Sequence, residues 1–121
     1  MMSYEKWHSC IVNAAQDIGS ERFQEEAWFP GGKVKSSPDE VYQALMEDCT
    51  PDLFFETYGK ILTEEQLRSW RNFRCLLKEY YEQMPRFPDP RSVLVDPQWD
   101  LVRHAARMFV ISFGGNDGGR S

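Results

Sequence analysis

Histidine and cysteine are scarce in this chain, at two His and three Cys in 121 residues. His8 and His104 belong to no HExxH, CxxC or comparable spacing. A zinc site needs three or four such ligands at defined spacing, so no bound metal is expected. Cys10, Cys49 and Cys75 form no paired motif, and an odd count makes a poor disulfide framework. They read as free, buried thiols in a reducing compartment. A nucleophilic cysteine also needs a base within reach. His8 and Cys10, two residues apart, would point to different faces of a helix. Glu47 and Asp48, just before Cys49, disfavour a thiolate there.

Long apolar runs are missing too. None reaches the roughly 20 residues of a membrane span, and Met1-Met2-Ser3-Tyr4-Glu5-Lys6 has no apolar core of the secretion-signal kind. Positive charge is in deficit, with 14 Lys and Arg against 19 Asp and Glu and a net charge of −5. Nucleic-acid binders and proteins of anionic membrane surfaces need the opposite balance. Neither class of partner is expected, and the predicted location is cytoplasmic. Phosphate-cradling loops are also lacking. Gly31-Gly32 and the C-terminal Gly114, Gly115, Gly118 and Gly119 have no strand–turn–helix spacing around them, so no cofactor is expected.

Aromatic residues are plentiful, at 14% of the chain, and rings of that size suit a compact core. Helix start signals organise the sequence around them. Ser3 caps a helix whose Tyr4, Trp7, Ile11, Ala14, Ala15 and Ile18 keep the spacing of one buried face. Gly19 stands where helices often end in a left-handed residue. Ser20 caps a short continuation through Phe23, Ala27 and Trp28, stopped by Pro30-Gly31-Gly32.

Ser37-Pro38-Asp39-Glu40 combines a cap, a first-turn proline and a capping box, opening a helix to about Asp48 over Val41 and Leu45. Thr50-Pro51 repeats the device for a short helix closed by Gly59. Thr63-Glu64-Glu65-Gln66 is a second capping box, at the head of the longest helix, Glu64 to about Met84. That element spans about 30 Å and is expected to be central. Pro85, Pro88 and Pro90 end it. Ser92–Val95 could be a strand or a helical turn, and, with nothing for a lone strand to pair with, reads as a buried irregular segment. Asp96-Pro97 starts a last helix through Leu101, Val102, Ala105, Ala106, Phe109, Val110 and Phe113.

The predicted fold is all-α: a single-domain bundle of five or six helices over residues 1–113, around the long helix. A flexible Gly-rich tail is expected over residues 114–121.

Charge is unevenly placed. Between Ser36 and Glu56 lie Asp39, Glu40, Glu47, Asp48, Asp52 and Glu56, with no Lys or Arg. That window carries −6 against a chain total of −5, which leaves +1 for everything else. Glu40 and Glu47 share a helix face, as do Asp52 and Glu56. One reading is a solvated face with acids at helix N-termini. The other is an electronegative patch that steers a basic protein partner. Trp28-Phe29, beside the glycine loop, either cover the core edge or form an aromatic anchor next to that patch.

The run from Trp28 to Tyr81 carries Trp28-Phe29, Ser36-Ser37-Pro38-Asp39-Glu40, Leu45-Met46-Glu47-Asp48, Phe54-Phe55 and Leu62-Thr63-Glu64-Glu65-Gln66. It resembles the small acidic helical immunity proteins of bacterial polymorphic-toxin loci, which bind and silence a cognate toxin. The resemblance covers under half the chain, and it carries over no functional residue of that family. It implies a non-enzymatic role in protein binding. Two alternatives stand beside it: a small enzyme with a His or carboxylate pocket built from His8, His104 and Asp100, and a homo-oligomeric structural protein joined through exposed aromatics.

Overall fold

All but one of the helices begin where a short polar side chain takes the first free N–H groups. The computed structural model describes residues 3–31, 35–86 and 88–114. Ser3 Oγ accepts from the Lys6 N–H at the head of α1, Tyr4–Gly19. Ser20 Oγ does so for Phe23 at α2, Glu21–Ala27, and Ser37 Oγ for Glu40 at α3, Pro38–Gln43. The Glu40 side chain returns no bond to the Ser37 N–H among the described residues, so that capping box is half closed. Helix α3 runs on as a π turn, Ala44–Asp48. Helix α4, Pro51–Tyr58, tightens into a 3-10 turn, Gly59–Ile61. Thr63 and Gln66 close a full capping box on α5, Glu64–Glu82. The single turn α6 is Pro90–Leu94, and Asp96 caps α7, Pro97–Ser112. The chain is all-α: six helices, the single turn α6, and the π and 3-10 turns, with no strand among the described residues.

The long helix α5 is one wall of the bundle, and α7 occupies the middle. Helix α7 packs along both α1 and α5 and buries Trp99, Val102, Ala105, Ala106, Phe109 and Val110. Contact with two walls requires the broad apolar face that its sequence carries. Aromatic rings fill the space around it. Phe55 stacks on Trp70 at 4.8 Å, and Phe73 and Trp70 both meet Phe109.

The end of α1 differs from the expectation. Gly19 is helical and buried rather than left-handed. Its carbonyl accepts from Arg107 Nη1 at 3.0 Å, while Gln24 Nε2 donates to the carbonyls of Asp17 and Ile18 at 3.0 and 2.7 Å. Tertiary donors thus replace the usual glycine cap. A Cβ on Gly19 would come within 3.0 Å of Arg107 Cγ, so the missing side chain lets α7 approach α1.

Ser92–Val95 is also corrected. Asp89 Oδ1 accepts from the Arg91 N–H and starts α6, a fourth cap-proline device hidden among the prolines. Val93 is buried, but Val95 is 77% exposed. Thr50 does not cap α4 through its side chain. It sits at φ 42°, ψ 60°, the left-handed region, which costs a β-branched residue on the order of 1–3 kcal/mol. Gly59 keeps a right-handed conformation and leads into the 3-10 turn rather than closing the helix.

The cysteines overturn the free-thiol reading. Cys10 on α1 and Cys49 at the α3–α4 junction form a disulfide across 39 residues of sequence. In the chain-entropy account, a loop of that length stabilises the fold by about 4 kcal/mol. Cys75 is the free thiol, and it is exposed rather than buried. Odd-number arithmetic failed because it cannot tell one pair plus one single from three singles. The bond also removes the support that free thiols lent to a reducing, cytoplasmic setting.

No helix among the described residues is long and apolar enough to cross a membrane. Gly114, at φ 81°, ends α7. The expected tail beyond it, residues 115–121, lies outside the described residues.

Candidate functional site

The acidic segment is laid out by contacts at α3, at the α3–α4 junction and along α4. Tyr81 on α5 donates its hydroxyl to the carbonyl of Pro38, and Tyr42 lies on the Tyr81 ring at 4.4 Å. These contacts hold α3 with Val41 and Leu45 inward. At the junction, Trp7 Nε1 donates to the Cys49 carbonyl. Beyond it, Phe54 packs against Trp7 at 5.4 Å and Phe55 against Trp70, which turns the opposite side of α4 outward.

Asp39, Glu40, Glu47, Asp48, Asp52 and Glu56 are accordingly all exposed. Of the four basic residues on α5 that might neutralise them, one reaches the segment. Arg74 holds Asp52 in a fork, Nε to Oδ1 at 2.7 Å and Nη2 to Oδ2 at 3.0 Å. The Asp52 hydrogen bond raises the Arg74 pKa still further above its ordinary value. Among the described residues, Arg68, Arg71 and Lys78 form no ion pair, and neither do the other five carboxylates. The face stays negative.

The aromatic anchor is not at its expected place. Trp28 is 6% exposed and lies against Trp99, a core position. Phe29 is partly buried and packs on the same core. Both cover the core edge, because α2 docks beside α7 rather than projecting its C-terminal rings. Leu53, 50% exposed, stands between Asp52 and Glu56 in the acidic face, and Ile61, 69% exposed, follows on the 3-10 turn. Helical phase offered a signal for Leu53, since it falls on the side of α4 opposite Phe54 and Phe55.

The histidines do not converge. His8 lies between Tyr4 at 5.9 Å and Phe113 at 5.2 Å, and burial lowers its pKa. His104 is exposed, nine residues before Phe113 and hence about 13 Å farther up α7. Asp100 bonds Arg103 Nη2 at 3.0 Å. Among the described residues, no group of three or more His, Cys, Asp or Glu is placed to hold a metal ion.

A cleft of about 240 Å³ lies between the end of α5 and α6, lined by Tyr80, Met84, Pro88, Val93 and Asp96 among others. Its acidic groups are already engaged. Asp96 accepts from the Gln98 N–H and the Tyr80 hydroxyl, and Asp89 from the Arg91 N–H and Ser92 Oγ. Burial, then the Asp96 hydrogen bond, pushes the Tyr80 pKa well above the ordinary phenol value. The phenol stays protonated at neutral pH.

Sequence reasoning missed a buried polar cluster. Gln24, fully buried, accepts from Trp99 Nε1 at 3.0 Å and from Arg103 Nη1 at 3.2 Å. Arg103, 4% exposed, also reaches the Leu94 carbonyl. This cluster joins α1, α2, α6 and α7, and its role is architectural.

The fold and site together define an all-α bundle with an outward acidic face. No family model, curated protein or solved structure matches the chain.

Proposed function

We propose that this chain is a non-enzymatic protein-binding module of the immunity type, neutralising a basic toxin through the α3–α4 face. One observation carries the reading: five of the six carboxylates are exposed without an ion pair among the described residues, and Arg74 engages Asp52 alone. Unpaired like charges cost a helix a few tenths of a kcal/mol per pair, and a partner that neutralises them removes that cost. Such a field also raises association rates and makes them salt-dependent. Leu53 and Ile61 supply the apolar contacts that Trp28 and Phe29 were expected to make. The Cys10–Cys49 bond weighs against a reducing, cytoplasmic setting for such a module.

The product of the adjacent gene is the first partner to try, by co-expression for growth protection and by association kinetics with purified protein. Glu47→Lys with Asp48→Lys should slow association at least tenfold and leave the melting temperature within about 2 °C, since both residues are exposed. Undiminished protection by the charge-reversed chain would refute the acidic face as the binding surface.

A second reading, self-association, rests on a different surface. Leu101, Met108 and Ile111 are 51%, 47% and 42% exposed and line the outer side of α7 at helical spacing. Aromatics, the expected joint, are absent from the exposed large side chains among the described residues. Light scattering separates the two readings: a concentration-dependent dimer abolished by Met108→Lys favours the second.

A further inference from the structure

We infer that the Cys10–Cys49 disulfide is a redox switch that sets the conformation of the α3–α4 junction. Oxidised, it clamps the junction to α1. Reduced, it lets residues 44–58 leave their present arrangement while α5 and α7 hold theirs. The inference concerns the chain alone and stands whether or not the acidic face binds a partner.

Four features meet at the junction. The disulfide joins the middle of α1 to Cys49, the residue between the π turn and α4. The next residue, Thr50, is the only non-glycine residue with positive φ among the described residues, and its side chain makes no capping bond. A β-branched residue relaxes from that conformation as soon as its neighbours allow. The preceding turn, Ala44–Asp48, is π-helical, a local departure from regular α pairing. Asp48 and Asp52 flank the junction with like charge, and of the two only Asp52 is paired, with Arg74.

Against these stand the disulfide, the Trp7 Nε1 bond to the Cys49 carbonyl, and the packing of Phe54. The core axis does not depend on the bond. Helices α5 and α7 pair through Trp70, Phe73 and Phe109, and neither carries a bonded cysteine. Beyond the general loss of loop-closure stabilisation, loss of the bond therefore acts most at the segment with the least regular backbone.

The chemistry is thiol–disulfide exchange with a dithiol reductant. One thiolate of the dithiol attacks a sulfur of the pair, the S–S bond breaks, and the other cysteine leaves as thiolate and takes up a proton. The second thiol of the reductant then closes on the mixed disulfide. The products are two cysteine thiols and a cyclic oxidised reductant, with two electrons transferred. Cys75, exposed and hydrogen-bonded to Glu79, takes no part.

The test is hydrogen exchange followed by mass spectrometry on the full chain, before and after dithiothreitol, with thiols counted by alkylation. One alkylated thiol should become three. Exchange across residues 44–58 should quicken at least tenfold more than exchange at residues 64–82 and 97–112, where only the general loss of loop-closure stabilisation acts. Thr50→Gly, which accepts the left-handed conformation without strain, should hold that reduced-state excess at 44–58 below threefold. Three reactive thiols before any reductant would overturn the inference. So would unchanged exchange at 44–58 after reduction, equal acceleration along the whole chain, or a Thr50→Gly chain that opens as far as its parent.

Discussion

Replacing Gln24 with leucine tests whether the buried polar cluster holds the bundle together. Leucine keeps most of the volume and removes four hydrogen bonds. The Trp99 indole N–H loses its partner inside the core, at a cost of about 1–3 kcal/mol for an orphaned buried donor. Arg103 keeps Leu94 and Asp100 but loses a charge-assisted bond of about 1.5–3 kcal/mol. The carbonyls of Asp17 and Ile18 lose their donors as well. Added apolar burial returns about 1–2 kcal/mol, leaving a net destabilisation of about 3–4 kcal/mol. With an unfolding entropy near 2.1 cal/mol/K per residue, that lowers the melting temperature by roughly 12–16 °C. Urea unfolding followed by helical circular dichroism gives the free energy. A cycle with Trp99→Phe isolates the orphaned N–H, since the double variant no longer buries it, and should show at least about 1 kcal/mol of coupling. A loss below about 1 kcal/mol for Gln24→Leu, or strict additivity in the cycle, would refute the reasoning.

The remaining predictions concern the α1–α7 contact and a half-buried ring. Gly19→Val should destabilise by about 1–3 kcal/mol, because its Cβ meets Arg107 Cγ at 3.0 Å and the α7 backbone at 3.4 Å; an unchanged melting temperature would show that α7 yields there. Burial lowers the His8 pKa below 6.5, so below pH 6.5 the unfolded chain binds more protons than the folded one. Its contribution to stability is complete above that pH, falls as pH drops through 6.5 and levels off beneath the folded pKa. His8→Phe should flatten that part of a melting-temperature profile between pH 7 and 5, and an identical slope in parent and variant counts against the burial argument.

Local signals were legible in the sequence wherever a cap, a proline and an apolar stripe agreed. The starts at Ser3, Ser20, Ser37, Thr63 and Asp96 all stand where the side-chain chemistry put them. Asp89-Pro90 carried the same signal and was lost among neighbouring prolines. Exposure of the six carboxylates was legible as well, because charge is left outside unless it is paired. Trp28 was not: a large ring at a helix end is buried or exposed according to where that helix docks, and α2 docks against Trp99.

By itself the sequence determined an all-α chain, most of its helix starts and one strongly acidic stretch, since caps, periodicity and charge act over a few residues. Tertiary structure alone decided what joins distant positions. Cys10 meets Cys49 because α1 lies beside the α3–α4 junction. Gln24 becomes a fourfold hydrogen-bonding hub because α2 returns across the end of α1 to face α7. Arg74, rather than Arg68, Arg71 or Lys78, takes Asp52 because only its position on α5 brings a guanidinium to that carboxylate. Such pairings depend on distances across the fold, and no spacing along the chain encodes them.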